Sequence, residues 1–156
     1  MAQKIIVAFD DSENAMRAVE HVAKHFSPEN EVTLFNVTLD SVMLCDMNSP
    51  ELTPYFIAQQ GTFCSLEDKK KELVKQAMQK AKELLVEAGF DENKITLKIE
   101  NKKKGVARDI VNMAQSGFDL LVIGRRGLSG IMEFFLGSVS QKVFQAAKDV
   151  SVLVVN

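Results

Sequence analysis

Two short stretches of this chain, Lys4 to Phe9 and Phe118 to Ile123, carry apolar side chains almost without a break. Successive side chains of a β-strand point to opposite faces, so a strand with no polar alternation has to be covered on both. That requirement places both stretches in the interior of a parallel sheet with helices above and below. The sequence between them supplies the covers. Ala15, Met16, Val19, Val22, Ala23 and Phe26 recur three and four residues apart and form one face of a helix, which Asp11 or Ser12 can cap. Ser27, Pro28, Glu29 and Asn30 interrupt that helix, and Val32, Leu34, Phe35 and Val37 supply a second strand.

Asp40 to Ser65 has no clear period and contains Pro50 and Pro54, so it reads as a long loop with at most a helical turn. Glu67 to Ala88 is rich in Lys, Glu, Ala and Leu and predicts a second helix, stopped by Gly89 as a left-handed C-cap. In Lys94 to Glu100 the apolar Ile95, Leu97 and Ile99 alternate with Thr96 and Lys98, as in an edge strand with one solvated face. Val106 to Gln115 reads as a third helix with Ile110, Val111 and Ala114 inward, and Ser138 to Ala147 and Val150 to Val155 as the last helix and strand. Strands and helices alternate strictly. The fold class is therefore α/β, a doubly wound, five-stranded parallel sheet sandwiched by four helices and Rossmann-like, because parallel neighbours need right-handed helical crossovers.

Composition narrows the function. A chain of 156 residues suits one domain, residues 1–156, and 46% hydrophobic with 26% charged residues is a globular balance. A net charge of −2 offers no basic field for nucleic acid. No apolar stretch approaches the roughly 18 residues of a membrane helix, and the run after Lys4 meets Asp10 and Asp11 too soon for a secretory signal. Two cysteines, Cys45 and Cys64, make no disulfide framework, and a reducing cytosol would keep both as thiols. The expectation is a soluble, cytoplasmic protein with no membrane and no nucleic-acid partner.

In a doubly wound sheet, ligands bind where the strand order reverses. With the strands at Ile5 and Leu121 as central neighbours, the site is built from Asp10 onward and from Gly124 onward. The second of these segments reads Gly124, Arg125, Arg126, Gly127, then nine residues, then Gly137 and Ser138 at the start of the last helix. Glycine lets a backbone approach a nucleotide closely, and the N–H groups of Ser138, Val139 and Ser140 point out of a helix N-terminus toward any phosphate. The spacing is neither a Walker A pattern nor the G-x-G-x-x-G of dinucleotide sites.

At these residues the chain resembles the ATP-binding branch of the universal stress protein family, whose motif is G-x2-G-x9-G-[ST]. The likeness extends to Val7-Ala8-Phe9-Asp10-Asp11-Ser12-Glu13, to Phe35-Asn36-Val37 and to Val152-Leu153-Val154-Val155, and so covers essentially the whole chain. Asn36 stands where a His is common in the family. The resemblance implies the sheet order 3-2-1-4-5 and ATP as ligand, with Mg²⁺ or Mn²⁺. It implies that Asp10 bonds the ribose or adenine, that Ala8 and Val37 line the adenine pocket, and that Gly127, Gly137, Ser138 and Ser140 hold ribose and phosphates. With their neighbours at the strand ends and in the motif, Phe9, Ser12, Ile123, Gly124, Arg126 and Val139, these make up the expected site. In that sheet order the last strand is an edge with no Pro, Lys or inward charge to resist pairing, so a homodimer through Val152 to Val155 is expected, as family members often show.

Other features carry less. His21 and His25 are four apart on a helix, but no third ligand accompanies them. Met43, Cys45, Met47 and Cys64 would suit copper(I), though methionine commonly packs irregular loops. The runs Lys69 to Lys71 and Lys102 to Lys104 read as solvated ends, the second near enough to the site to touch a polyphosphate tail. No nucleophile, base and orienter trio is present, and no residue is assigned a catalytic role. Slow ATP hydrolysis or self-phosphorylation is consistent with the resemblance. The reading is an ATP-binding, nucleotide-responsive stress regulator or protective protein. Its alternatives are a dimeric stress or interaction protein that binds no nucleotide, and an enzyme using ATP in adenylyl or pyrophosphate chemistry.

Overall fold

A computed structural model of the chain describes residues 1–38, 54–125 and 137–156, and within the helix that begins at Pro54 it describes side chains from residue 61 onward. Five strands lie in one sheet: β1 (Lys4–Ala8), β2 (Glu31–Thr38), β3 (Ile95–Asn101), β4 (Leu120–Gly124) and β5 (Ser151–Val155). Their order is β3-β2-β1-β4-β5, and every pairing is parallel. Four α-helices are described, α1 (Glu13–His25), α2 (Pro54–Glu87), α3 (Val106–Ala114) and α4 (Ser138–Ala146), with a 3₁₀ turn at Glu92–Lys94. No described helix is long and apolar enough to cross a membrane.

The unbroken apolar run of β1 is explained by what covers it. Ile5 and Val7 face α1 and α2, where they meet Ala18, Val19, Val22, Met78, Ala81 and Leu85. Ile6 and Ala8 face α3 and α4, against Ile110, Val111, Ala114 and Val143. The same alternation splits β2 and β4: Leu34 and Val122 belong to the first layer, Phe35, Leu121 and Ile123 to the second. Two cores thus back onto one sheet, and each large buried side chain contributes about 1.5–3 kcal/mol of transfer free energy. The edge strand β3 is more open than a single solvated face implies, since Leu97 and Ile99 remain 37% and 38% exposed; among the described strands only β2 flanks it.

Helix ends follow the sequence signals. The Ser12 hydroxyl accepts from Ala15 N at 3.2 Å and caps α1. Gly89 stands at φ +102°, a conformation that costs little only without a Cβ, and Phe90 N donates back to Leu85 O at 3.1 Å, the 6→1 bond of a Schellman stop. The start of α2 departs from expectation. Residues 54–65, read above as loop, are helical, and residues 39–53 lie outside the described part. Proline is tolerated in a first helical turn because its missing N–H has no partner there anyway. No period marks this stretch because residues 61–63, 65 and 66 are exposed, and an amphipathic stripe arises only where a helix lies on a core. The expectation of two thiols is also corrected, because Cys64 is disulfide-bonded; compartment redox was the wrong guide, since bonding follows spatial proximity, which cysteine spacing does not reveal.

The turn between β3 and α3 is tied by one carboxylate. Lys103 N and Lys104 N donate to Asp109 at 2.7 and 3.1 Å. Slight desolvation would raise the Asp109 pKa, but the N–H groups of Lys103, Lys104 and Gly105 and the Lys103 ammonium prevail and hold it below its ordinary value of 3.8. A depressed folded-state pKa stabilises the protein above the unfolded value, and the contribution is lost as pH falls through the folded one. Asp109→Asn should therefore lower the melting temperature at pH 7, and the gap from wild type should close as pH falls below about 3.8, as thermal unfolding across that range would show.

Candidate functional site

β1 and β4 run side by side in the register Ile5–Leu120 to Ala8–Ile123. Beyond their C-terminal ends the chain leaves toward opposite faces, into α1 after β1 and toward α4 after β4. A crevice must open between such diverging connections. It is a cavity of about 330 Å³. Its apolar wall is Ala8, Phe35, Val37, Val106, Ile110, Ile123 and Val139, and its polar residues are Asp10, Asp11, Ser12, Asn14, Asn36, Thr38, Glu67, Lys70, Lys71 and Ser140.

Of the residues expected to form the site, Ala8, Phe9, Asp10, Ser12, Val37, Ile123, Gly124, Gly137, Val139 and Ser140 all line this cavity. Ser138 does not line it, although it opens α4. Arg126 and Gly127 lie outside the described residues. Lys102 to Lys104 sit in the turn tied by Asp109 and not in the lining. Asn14, Asn36, Thr38, Glu67, Lys70, Lys71, Val74, Val106 and Ile110 were not foreseen. A helix register could have flagged the α2 residues, because Glu67, Lys71, Val74 and Met78 recur at the inward spacing.

Several groups are held by the protein itself. Ser12 N donates to Asp10 Oδ1 at 2.8 Å, fixing the carboxylate against the start of α1. The Ser140 hydroxyl, buried, donates to Gly124 O at 3.2 Å, so its proton is committed and its lone pairs remain as acceptors. Gly137 precedes α4 with no side-chain cap, which leaves first-turn N–H groups without an intrahelical partner, and Gly137, Val139 and Ser140 line the cavity there.

Asn36 is the exception to this satisfaction. It is 7% exposed and its amide nitrogen donates to Phe9 O at 2.7 Å. A carbonyl can only accept, so this bond fixes which end of the amide is oxygen. Among the described residues Asn36 Oδ1 is then left buried without a donor. Such an atom costs about 1–3 kcal/mol unless a partner arrives, and it sits in a residue of the cavity wall.

No group of three or more His, Cys, Asp or Glu side chains is arranged for a metal ion among the described residues. His21 and His25 stack on each other with ring centroids 4.4 Å apart. Of the soft-ligand set, Met43, Cys45 and Met47 lie outside the described residues.

The model of the universal stress protein family matches residues 1–156. Universal stress protein YxiE of Bacillus subtilis (strain 168) is 30% identical over 148 residues, 93% of each chain. Among solved structures, hypothetical protein MJ0577 superposes with a TM-score of 0.71 at 26% identity, over 99% of this chain and 96% of that one. A universal stress protein in complex with cAMP gives 0.64 at 20% identity, over 99% and 97%.

One glycine of the motif has a packing role. A Cβ on Gly124 would run into the backbone carbonyl group of Asn14 on α1, whereas at Gly61 on α2 it would meet nothing within 4 Å. Gly124→Ala should therefore destabilise the fold by about 1–3 kcal/mol, lowering the melting temperature by several degrees. Gly61→Ala, a helix-interior change, should leave it level or raise it. Thermal unfolding of the two variants side by side makes the comparison.

Proposed function

This chain belongs to the universal stress protein family, and from that premise we propose that it binds an adenine nucleotide, ATP with Mg²⁺ or Mn²⁺, in the cavity at the β1–β4 switch point. The observation that carries the reading is the composition of that cavity. An apolar wall from Ala8, Val37, Ile110 and Ile123 suits a purine, and beside it the uncapped N-terminus of α4, led by Gly137, suits phosphate. The unpartnered Asn36 Oδ1 fits a ligand that brings a hydrogen-bond donor, as an adenine amino group or a ribose hydroxyl does. A volume of about 330 Å³ lies at the small end of ligand pockets, which span roughly 300–1,000 Å³. The structural relative held in complex with cAMP supports the adenine part of the reading.

Within this reading the ligand acts as a signal, with at most slow hydrolysis or self-phosphorylation. Asp10 is engaged by Ser12, and no described residue of the cavity wall is assigned a catalytic role. The protein acts as a single cytoplasmic domain whose surface responds to nucleotide occupancy, as a stress regulator or protector.

Titration of the purified protein with ATP, with GTP as competitor, tests the site. Gly137→Val, its fold checked by circular dichroism, should weaken ATP by more than tenfold, or about 1.4 kcal/mol, and GTP should compete poorly. An ATP affinity equal in variant and wild type, or GTP displacing ATP at equal concentration, would refute the assignment.

We further infer a homodimer through β5. On its outer side no described strand pairs with it, its Val152, Leu153 and Val154 are only half-buried, and Phe144 is 61% exposed. A flat apolar edge without Pro or Lys pairs readily with its own copy across a two-fold axis. Val154→Lys should shift the protein toward monomer in sedimentation velocity, and a wild type that is monomeric at high micromolar concentration would remove the proposal.

A further inference from the structure

The inward face of α2 changes character along its length. Leu85, Ala81, Met78 and Val74 are buried against the sheet, and the next positions at the same spacing are Lys71, Lys70 and Glu67. All three line the cavity. A helix that carries charge on the face it turns toward the protein does so at a cost, unless a charged group is to be met there. Lys71 is half-buried, and among the described residues neither lysine takes part in an ion pair, since the pairs formed are Arg17–Glu13, Lys82–Glu92 and Lys98–Glu100.

The charge around them sharpens the point. Asp10, Asp11 and Glu67 share the lining, so without the lysines the described wall would be purely acidic and would repel a phosphate chain. Lys70 and Lys71 are the described cations of that wall. Their place is distinct from that of the glycine motif, because α2 covers one face of the sheet and α4 the other. A chain of phosphates leaving the α4 N-terminus across the strand ends therefore meets the lysines on the opposite bank.

We propose that Lys70 and Lys71 clamp the phosphate chain of the ligand and set the preference of the pocket for a triphosphate over a monophosphate. The proposal rests on the adenine-nucleotide reading and assigns a specificity role to residues outside the glycine motif. Ammonium groups on long stems act as mobile point charges, so the contribution should grow with the number of phosphates and be screened by salt.

The test is calorimetric titration of adenosine, AMP, ADP and ATP into wild type and into the Lys70→Gln/Lys71→Gln double variant, with Lys71→Arg as the conservative partner. Lys70 is exposed and Lys71 half-buried, and circular dichroism of the variants checks the fold. The double variant should lose about tenfold or more in ATP affinity, the worth of roughly one charge-assisted hydrogen bond, while adenosine changes by less than about twofold. The wild-type preference for ATP over AMP should shrink by the same factor and should fall with added salt, and Lys71→Arg should keep most of it. A double variant with the wild-type ATP to AMP ratio overturns the clamp and leaves the nucleotide reading standing. A wild type that binds neither adenosine nor ATP overturns both.

Discussion

The arrangement of this protein depends on the pairing of β1 with β4. Each strand is buried on both faces, so each needs a helix layer above and below, and the right-handed crossovers that deliver those layers send the chain to opposite sides at their C-terminal ends. The cavity is the consequence of that divergence. Among the described residues its floor is made of strand-end residues such as Ala8 and Ile123, and its walls of the β1–α1 turn and of the helices on each side.

Hydrogen bonds internal to the protein hold groups on both banks of the cavity, and among the described residues one buried oxygen is left open. Asp10 with Ser12, and Ser140 with Gly124, are internal pairs, the first within the β1–α1 turn and the second between the end of β4 and the first turn of α4. Asn36 uses one end of its amide to bind Phe9 O and so ties β2 to the segment after β1, while its oxygen has no donor. Buried polar groups in native proteins are nearly always paired, and the exception falls in the wall of the one crevice the topology creates at the switch point.

What the sequence disclosed followed from whether burial left a pattern. The strands of the interior were legible because two-sided burial removes polar residues from Ile5 to Phe9 and Leu120 to Ile123, and the stop at Gly89 because only a glycine meets φ +102° cheaply. The switch-point residues Ala8, Asp10, Gly124 and Gly137 were legible from topology and motif together. The stretch of α2 at residues 61–66 was not, since residues 61–63, 65 and 66 are exposed and leave no stripe to read. Asn36, Lys70 and Lys71 were missed for a related reason: a polar residue facing inward looks, in the sequence, like one facing solvent. Gly124 shows the converse, because its place in a nucleotide-type motif suggested ligand approach while its missing Cβ makes room for Asn14.

On the reading proposed above, the same geometry says how occupancy could be felt elsewhere. A ligand can bias a conformational equilibrium only by binding one state more tightly than the other. The cavity touches α1 and α2 on one face of the sheet and α3 and α4 on the other, so a ligand that bonds to both banks is favoured in arrangements that keep them together. The two banks do not share a core, because the sheet separates them. Their relative position near the strand ends is thus the coordinate on which a bridging nucleotide exerts most leverage, and α4, preceded by Gly137 at the glycine end of the site, also carries the exposed Phe144.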